Sequence, residues 1–164
     1  MNEVLKMEGI IHIRIDDRLI HGQVATQWTN ELGATRIMVI NDEIAKNDVQ
    51  KTVLRMAAPP NVATSIISKE TAATNIKSNK YRGQKVLIVV KSPVDLVDLI
   101  NLGLPIKKVN VGNMSVREGT RHVRPTVSIN PQEEQAFRQL IDQDVEITTI
   151  MVPGDNTIYL KDVI

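Results

Sequence analysis

The sequence predicts a single α/β domain, built as an open, mostly parallel twisted sheet of about seven strands with helices on both faces. Three observations support this fold class. The 164 residues fall within the usual size of one domain. Short β-branched runs alternate with longer amphipathic stretches, as in parallel βαβ units. The continuous apolar run 86–90 is typical of a strand covered by helices on both faces.

Seven short runs rich in β-branched residues are predicted as the strands. Polar residues or glycines bound most of them, which is the usual punctuation of strands. The runs are 10–15, 37–40, 62–67, 85–90, 107–111, 126–129 and 145–152. The stretch 112–125 is interpreted as a long excursion between the fifth and sixth strands.

Two earlier helices are predicted from apolar spacing. The stretch 22–32 repeats apolar residues every four positions, and Gly33 is its expected C-terminal cap. Asp42 is predicted to cap a second helix that ends before two prolines. The apolar face of this second helix consists of Val49, Val53 and Met56.

Capping residues predict where two later helices begin. Ser92 is followed by Pro93 at the first helical position, and Gly103 is expected to end this helix. Asn130 precedes a proline, and Glu133 is placed as in a capping box. Both starts therefore carry side chains that satisfy free backbone amides.

Composition excludes several functional classes. The net charge of +1 gives no field that would gather nucleic acid, and the absence of cysteine excludes disulfides and thiolate chemistry. No apolar run approaches the roughly 20 residues of a membrane-spanning helix. The first residues lack the apolar region of a signal peptide. We therefore expect a cytoplasmic protein.

The segment after the first strand carries the most informative motif, Arg-Ile-Asp-Asp-Arg-Leu-Ile-His-Gly-Gln-Val over residues 14–24. His21 falls at the start of the first helix, where free amides and the helix dipole attract an anion. Arg14 and Arg18 add forked donors suited to a phosphate-sized group. Gly22 allows close approach of the backbone to such a group, and Gln23 is included among the supporting residues.

These residues indicate that His21 is a nucleophile that accepts a phosphoryl group. Asp16 and Asp17 are expected either to fix the tautomer of the imidazole or to hold the arginines in place. One alternative is an ordinary surface or helix-capping histidine with salt-bridged neighbours. Another is a non-enzymatic regulatory or binding module that recognises a phosphorylated ligand or partner.

Other candidate residues lie outside this motif. Lys91 and Ser92 follow the fourth predicted strand and are expected to support the anion site, although Ser92 is equally suited to capping a helix. His12, inside the first strand, is interpreted as a packed residue, and His122 as a solvated one. The basic stretch from Arg117 to Arg124 is interpreted as a solvated loop, with an acidic partner surface as the alternative.

Motifs of several other classes are absent from the sequence. It contains no Gly-x-x-x-x-Gly-Lys-Ser/Thr loop, no Gly-x-Gly-x-x-Gly after the first strand and no Gly-x-Ser-x-Gly elbow. No two histidines are spaced as metal ligands on one helix face. We therefore expect no metal or other cofactor.

Residues 14–24, followed by Gln27 and Trp28, resemble a known phosphorylation-site motif nearly residue for residue. It is that of the IIB component of the mannose/fructose/sorbose family of bacterial phosphoenolpyruvate-dependent sugar phosphotransferase systems. The resemblance continues through segments 41–43, 56–59, 91–93, 110–114 and 152–153.

The resemblance divides the chain into an N-terminal extension, residues 1–9, and a IIB domain, residues 10–164. Asn113 stands where many members of the family carry a glycine, and this variant is similar to the N-acetylgalactosamine branch.

The resemblance implies a phosphocarrier with phosphohistidine–sugar phosphotransferase activity. A phosphorylated IIA domain would transfer its phosphoryl group to Nδ1 of His21, which Arg14 and Arg18 flank. His21 would then transfer the group to a sugar that enters through the membrane subunits IIC and IID. These subunits would hold the protein at the inner face of the plasma membrane, and a homo-oligomer is left open.

Overall fold

The computed structural model describes residues 6–164, so the first five residues of the predicted N-terminal extension lie outside the described part. Within these described residues, eight strands and five α-helices follow one another. They are β1 (Ile10–Asp16), α1 (Gly22–Leu32), β2 (Arg36–Ile40), α2 (Asp48–Ala57), β3 (Ala63–Ile67), α3 (Lys69–Lys77), β4 (Val86–Val90), α4 (Pro93–Asn101), β5 (Lys108–Asn113), β6 (Arg121–Arg124), β7 (Val127–Ile129), α5 (Pro131–Asp142) and β8 (Glu146–Thr148).

Six of the strands form one parallel sheet in the order β3-β2-β4-β1-β5-β8. Strand β1 lies inside the sheet, where Arg14 is aligned with Val89 of β4 and with Asn110 of β5. Strands β6 and β7 form a separate antiparallel pair. The predicted open parallel sheet is thus confirmed, with one of its predicted strands placed in a small hairpin.

Helices cover both faces of the sheet. Crossovers between parallel strands are right-handed, so helices α1 and α2, which connect toward β3, lie on one face, and α3, α4 and α5 lie on the other. Alternation along β2 matches these two layers. Ile37 and Val39 pack with Trp28 of α1, whereas Met38 and Ile40 pack in the cluster that contains Leu96 of α4 and Phe137 of α5.

The predicted caps of three helices are confirmed. Ser92 accepts a hydrogen bond from the amide of Val94 at the start of α4. Asn130 and Glu133 form a complete capping box at the start of α5. Helix α1 ends at Gly33, whose φ of 64° is left-handed and favours glycine.

The predicted cap at Asp42 is wrong. A 3-10 turn (Ile44–Lys46) comes first, and Asn47 caps α2 by accepting from the amide of Gln50. The Asp42 carboxylate instead accepts from the amide of Lys69, which begins α3. The spacing along the chain cannot reveal this contact between residues 27 positions apart.

The interpretation of residues 112–125 as one irregular excursion is also wrong. Strand β5 continues to Asn113, and Arg121–Arg124 forms β6, which pairs with β7. The last predicted strand is shorter than expected, because β8 ends at Thr148 and the chain then leaves the sheet. Helix α3 had no counterpart in the prediction. None of the helices among residues 6–164 is long and apolar enough to cross a membrane.

Candidate functional site

The candidate site lies where neighbouring strands send their connections to opposite faces. Strand β1 leads to α1 on one face, whereas its neighbour β4 leads to α4 on the other. This divergence opens a crevice at the carboxyl ends of the two strands, which is the usual ligand site of open α/β sheets. Because Ile15 is aligned with Val90, the segment 16–21 and the pair Lys91–Ser92 leave the sheet at the same edge.

His21 occupies the N-cap position of α1. Its backbone is extended, and its carbonyl oxygen accepts from the amide of Ala25 at 3.0 Å. The imidazole is exposed, does not cap the helix and makes no side-chain hydrogen bond within residues 6–164. The first turn of α1 carries no acidic side chain. The start of α1 thus combines free amides, which favour an anion, with an exposed imidazole.

Two apolar residues fix the loop that presents His21. Leu19 and Ile20 are only 6% and 4% exposed, because both pack in the cluster beneath α1. Leu19 adopts a φ of 62°, a strained conformation for a branched side chain, and its amide donates to the carbonyl of Asp16 at 2.9 Å. Because Leu19 and Ile20 are buried, the loop holds His21, the next residue, at the surface. The sequence alone did not reveal this role.

Asp16 holds both arginines of the motif. Its buried carboxylate accepts from Nε and Nη2 of Arg18 at 3.0 and 2.8 Å and from Nη2 of Arg14 at 3.3 Å. The hydrogen bond to Asp16 raises the pKa of Arg18, so its guanidinium stays charged. The side chain of Arg18 is 28% exposed and reaches solvent near the start of α1.

Arg14 is part of the interior. Its guanidinium donates to the carbonyls of Ile150 and Met151 at 3.1 and 2.9 Å and lies 5.0 Å from the centre of the Trp28 ring. Burial lowers the pKa of Arg14 to about 10. Trp28 donates to the same carbonyl of Met151. Arg14 therefore links the segment after β8 to Asp16, which begins the loop 16–21 that carries His21 (the His21 loop).

Gly112, in the segment 110–114 that the resemblance includes, has a role that the sequence did not reveal. A methyl group at this position would lie 2.0 Å from Cζ of Arg14, so only glycine leaves room for the guanidinium. Asn110, also on β5, bonds the carbonyl of Ile150 through its amide nitrogen. A glycine at the carboxyl end of a central strand was the available signal, because such glycines mark close approach of another group.

Asp17 binds the segment that follows β5. Its carboxylate accepts from the side chain of Asn113 and from the amide and hydroxyl of Ser115, at 2.7–3.0 Å. Within residues 6–164, neither Asp17 nor Asp16 hydrogen-bonds to the imidazole of His21. Of the two expected tasks, holding the arginines belongs to Asp16, and Asp17 fixes the neighbouring loop.

The remaining predicted site residues differ in their environments. Lys91 is exposed, whereas Ser92 is half-buried and serves as the cap of α4. Gly22 and Gln23 are exposed in the first turn of α1, and a Cβ at Gly22 would meet open space. Within residues 6–164, no group of three or more His, Cys, Asp or Glu side chains could hold a metal ion.

The basic stretch is held by carboxylates. Arg117 forms two 3.0 Å hydrogen bonds with Glu133, whose side chain is buried, and Arg121 pairs with Glu134. The Glu133 carboxylate raises the pKa of Arg117. His122 shares a 3.0 Å hydrogen bond with Ser128. Most of this stretch is exposed, as predicted, but it is not an irregular loop, because Arg121–Arg124 is strand β6 and Arg117 and Arg121 tie the hairpin to α5.

His12 is a packed residue, as predicted. Its ring stacks on Trp28 with centres 5.0 Å apart, and its Nε2 atom is buried without a hydrogen-bond partner. Burial, with Arg14 and Lys108 nearby, lowers the pKa of His12 to about 4.

This pKa predicts a pH-dependent stability. Below pH 6.5 the unfolded chain binds a proton at His12, whereas the folded chain does not bind it until about pH 4. The free energy of unfolding therefore falls as the pH falls through this window. Lowering the pH from 7 to 5 is expected to remove about 2 kcal/mol through this group. His12→Phe should remove that part of the dependence. Urea unfolding at both pH values measures it, and an unchanged slope in the variant would contradict the assignment.

Comparison with known proteins adds independent information. Residues 10–164 match the family described as "PTS system sorbose subfamily IIB component", where PTS denotes the phosphotransferase system. The mannose-specific EIIAB component of Escherichia coli K12 is 38% identical over 151 residues, which are 92% of this chain and 47% of that protein. The chain thus spans about half the length of that relative. The fructose-specific EIIB component of Bacillus subtilis is 38% identical over 149 residues, 91% of each protein.

A solved structure has the same architecture. The IIBSor domain of the sorbose permease from Klebsiella pneumoniae superposes with a TM-score of 0.88 and 35% sequence identity. The superposition covers 93% of this chain and 94% of that domain.

Proposed function

The chain belongs to the sorbose-subfamily IIB components of the PTS, and from this premise we propose that it carries a phosphoryl group on His21 from a phosphohistidine IIA domain to a sugar. One observation carries the proposal. The imidazole of His21 is exposed at the start of α1, beside free amides and close in sequence to the charged, partly exposed guanidinium of Arg18.

In the first step, a ring nitrogen of His21 attacks the phosphorus of the donor phosphohistidine, and the phosphorus–nitrogen bond in the donor breaks. The proton that His21 loses ends on the donor imidazole. Family resemblance favours Nδ1 as the attacking atom. In the second step, a sugar hydroxyl attacks the phosphorus, and its proton ends on the imidazole of His21. Neither step requires a cofactor on this chain.

Electrostatic stabilisation comes from several groups. In this proposal the free amides of Gly22 and Gln23 and the guanidinium of Arg18 stabilise the negative charge that gathers on the transferring group. Arg14 acts from the interior, because its bond to Asp16 fixes the carboxylate that orients Arg18. Lys91, exposed across the crevice, offers a further positive charge.

Arg18→Ala should slow phosphoryl transfer about 10²–10³-fold, the usual effect of removing one donor to a developing negative charge. The transfer rate of Arg18→Lys should fall between those of Arg18→Ala and the wild type, since lysine keeps the positive charge but lacks the forked pair of donors. Rapid-quench measurement of His21 phosphorylation checks both. Arg82→Ala removes a 67% exposed arginine far from the crevice and serves as the matched control. Equal rates for Arg18→Ala and Arg82→Ala would refute the role of Arg18.

We assign the finer partners by family resemblance. The donor is a IIA domain, the membrane subunits are IIC and IID, and the protein acts in the cytoplasm at the inner face of the plasma membrane. The relatives are named after mannose, fructose, sorbose and N-acetylgalactosamine, and we expect the sugar to belong to this group. Asn113 favours N-acetylgalactosamine among the four. The division into an extension, residues 1–9, and a IIB domain, residues 10–164, remains a prediction.

The second step can be tested in membrane vesicles that contain IIC and IID. Isolated phosphorylated protein is added with each of the four sugars, and sugar phosphate is measured. One sugar phosphate formed for each phosphohistidine lost is the expected result. Stable phosphoprotein with every sugar, in vesicles that accept the phosphoryl group from a known IIB, would favour the regulatory module instead.

A further inference from the structure

The apolar face of α2 lies on the outside of the molecule. Val49, Val53 and Met56 (the α2 stripe) recur at spacings of four and three residues, so they share one side of the helix. Their exposed fractions are 75%, 61% and 81%. Among residues 6–164, Val116 is the only other large apolar residue that is more than 60% exposed. Single exposed apolar side chains are common, whereas three on one helix face indicate a contact surface.

Other residues attach α2 to the domain. Leu54 and Ala57 are partly buried against the cluster beneath α1. No residue of α2 is fully buried. The α2 stripe therefore contributes little to packing within the domain, and its contact with water is unfavourable until another surface covers it.

Two opposite charges flank the α2 stripe along one edge. Asp48 and Arg55 precede Val49 and Met56, and they lie seven residues apart, which is about two helical turns. The Asp48 carboxylate is 99% exposed, and its one ion pair within residues 6–164 is a long contact of 3.9 Å with Lys51. Arg55 is exposed, and its guanidinium has no hydrogen bond or ion pair within the described part of the chain. Both charges are therefore available to a partner.

A second copy of α2 that runs antiparallel complements this pattern. In a pair of helices related by a two-fold axis, the same edge of each helix meets and the order of the residues is reversed. Val49 then lies opposite Met56 of the second copy, and Asp48 lies opposite Arg55 of that copy. The two-fold axis repeats each contact, so two apolar contacts and two ion pairs form. A parallel pair would instead place like charges opposite one another, which is unfavourable.

The order of the charges favours a second copy over a partner of one charge sign. A uniformly acidic surface would be repelled by Asp48, and a uniformly basic surface would be repelled by Arg55. An antiparallel copy of α2 satisfies both charges and also covers the α2 stripe with apolar side chains. The same face of the same helix can therefore serve on both sides of the contact.

We propose that α2 is the contact surface of a two-fold dimer of this chain, centred on Thr52 and Val53. The proposal rests on α2 alone and goes beyond the carrier role of His21. A single pair of helices buries less than the roughly 800 Å² per partner of a standard stable complex. We therefore expect a reversible dimer with a dissociation constant of about 100 µM.

The orientation of the two helices is tested by disulfide cross-linking of the full-length protein, which contains no cysteine of its own. Variants V49C and M56C are mixed at about 200 µM and oxidised mildly, and intact mass distinguishes heterodimers from homodimers. The heterodimer should exceed the two homodimers together about fivefold, because only the antiparallel pair brings these positions within disulfide distance. V49C mixed with V116C, whose cysteine lies outside α2, measures the background. A heterodimer yield no greater than that of the homodimers, or no greater than background, would overturn the proposal.

The ion pairs are tested by sedimentation velocity at about 10–500 µM. D48R and R55D should each weaken the association about tenfold, because each substitution places like charges opposite one another. An equimolar mixture of the two variants should recover the wild-type association, which a frayed helix could not do. E118R changes an exposed charge outside α2 and should leave the association unchanged. A wild type that stays monomeric at the highest concentration, or D48R that associates like the wild type, would overturn the proposal. Neither experiment measures phosphoryl transfer, so failure of the carrier role would leave both results intact.

Discussion

Replacing His21 by alanine is expected to abolish phosphoryl acceptance. The imidazole is the nucleophile, and the cysteine-free chain offers no substitute at the start of α1. The fold should be unaffected, since the ring is exposed and makes no hydrogen bond within residues 6–164. The melting temperature should therefore match that of the wild type, and the loss is measured as phosphate transferred from phosphorylated IIA.

His122→Ala is the matched control for this variant. It removes another exposed imidazole, one that bonds Ser128 in the hairpin. This control should accept phosphate at the wild-type rate. Phosphorylation of His21→Ala, or its loss in His122→Ala, would place the carrier residue elsewhere.

Replacing Arg14 by methionine is expected to lower the free energy of unfolding by about 3 kcal/mol. The variant fills much of the same volume and loses the charged hydrogen bonds to Asp16, Ile150 and Met151. The contact with the Trp28 ring is lost as well. Urea unfolding at pH 7 gives the change directly.

The exposed Arg82 again supplies a control, since Arg82→Met should alter stability by less than about 0.5 kcal/mol. Arg14→Met should also slow transfer less than Arg18→Ala does, because its effect on the phosphoryl group is indirect. A stability loss below about 1 kcal/mol would show that the buried guanidinium does not fasten the segment after β8.

Local sequence signals predicted much of the fold. Ser92 and Asn130 cap their helices as expected, because a cap depends on residues two or three positions apart. The order of strands and helices follows from alternation in the chain. Asp42 failed as a cap because Asn47 was a better one, closer to the helix.

The residues of the candidate site also divide into those that local sequence predicts and those that depend on distant contacts. His21 and Arg18 could be found in the sequence, since one short loop carries both. The environment of Arg14 could not, because its partners Ile150 and Met151 lie more than 130 positions away. The need for glycine at position 112 has the same cause. Contacts between distant segments leave no periodic trace in a single sequence.

Intact-mass spectrometry at mildly alkaline pH tests the carrier role of His21 most directly. The protein is mixed with phosphoenolpyruvate, the general phosphotransfer proteins and a mannose-family IIA, beside His21→Ala. We predict one added phosphoryl group that disappears on acidification, as a phosphohistidine should, and no addition to the variant. An unmodified wild-type protein, in a mixture whose IIA is demonstrably phosphorylated, would contradict the assignment of His21 as a phosphoryl carrier.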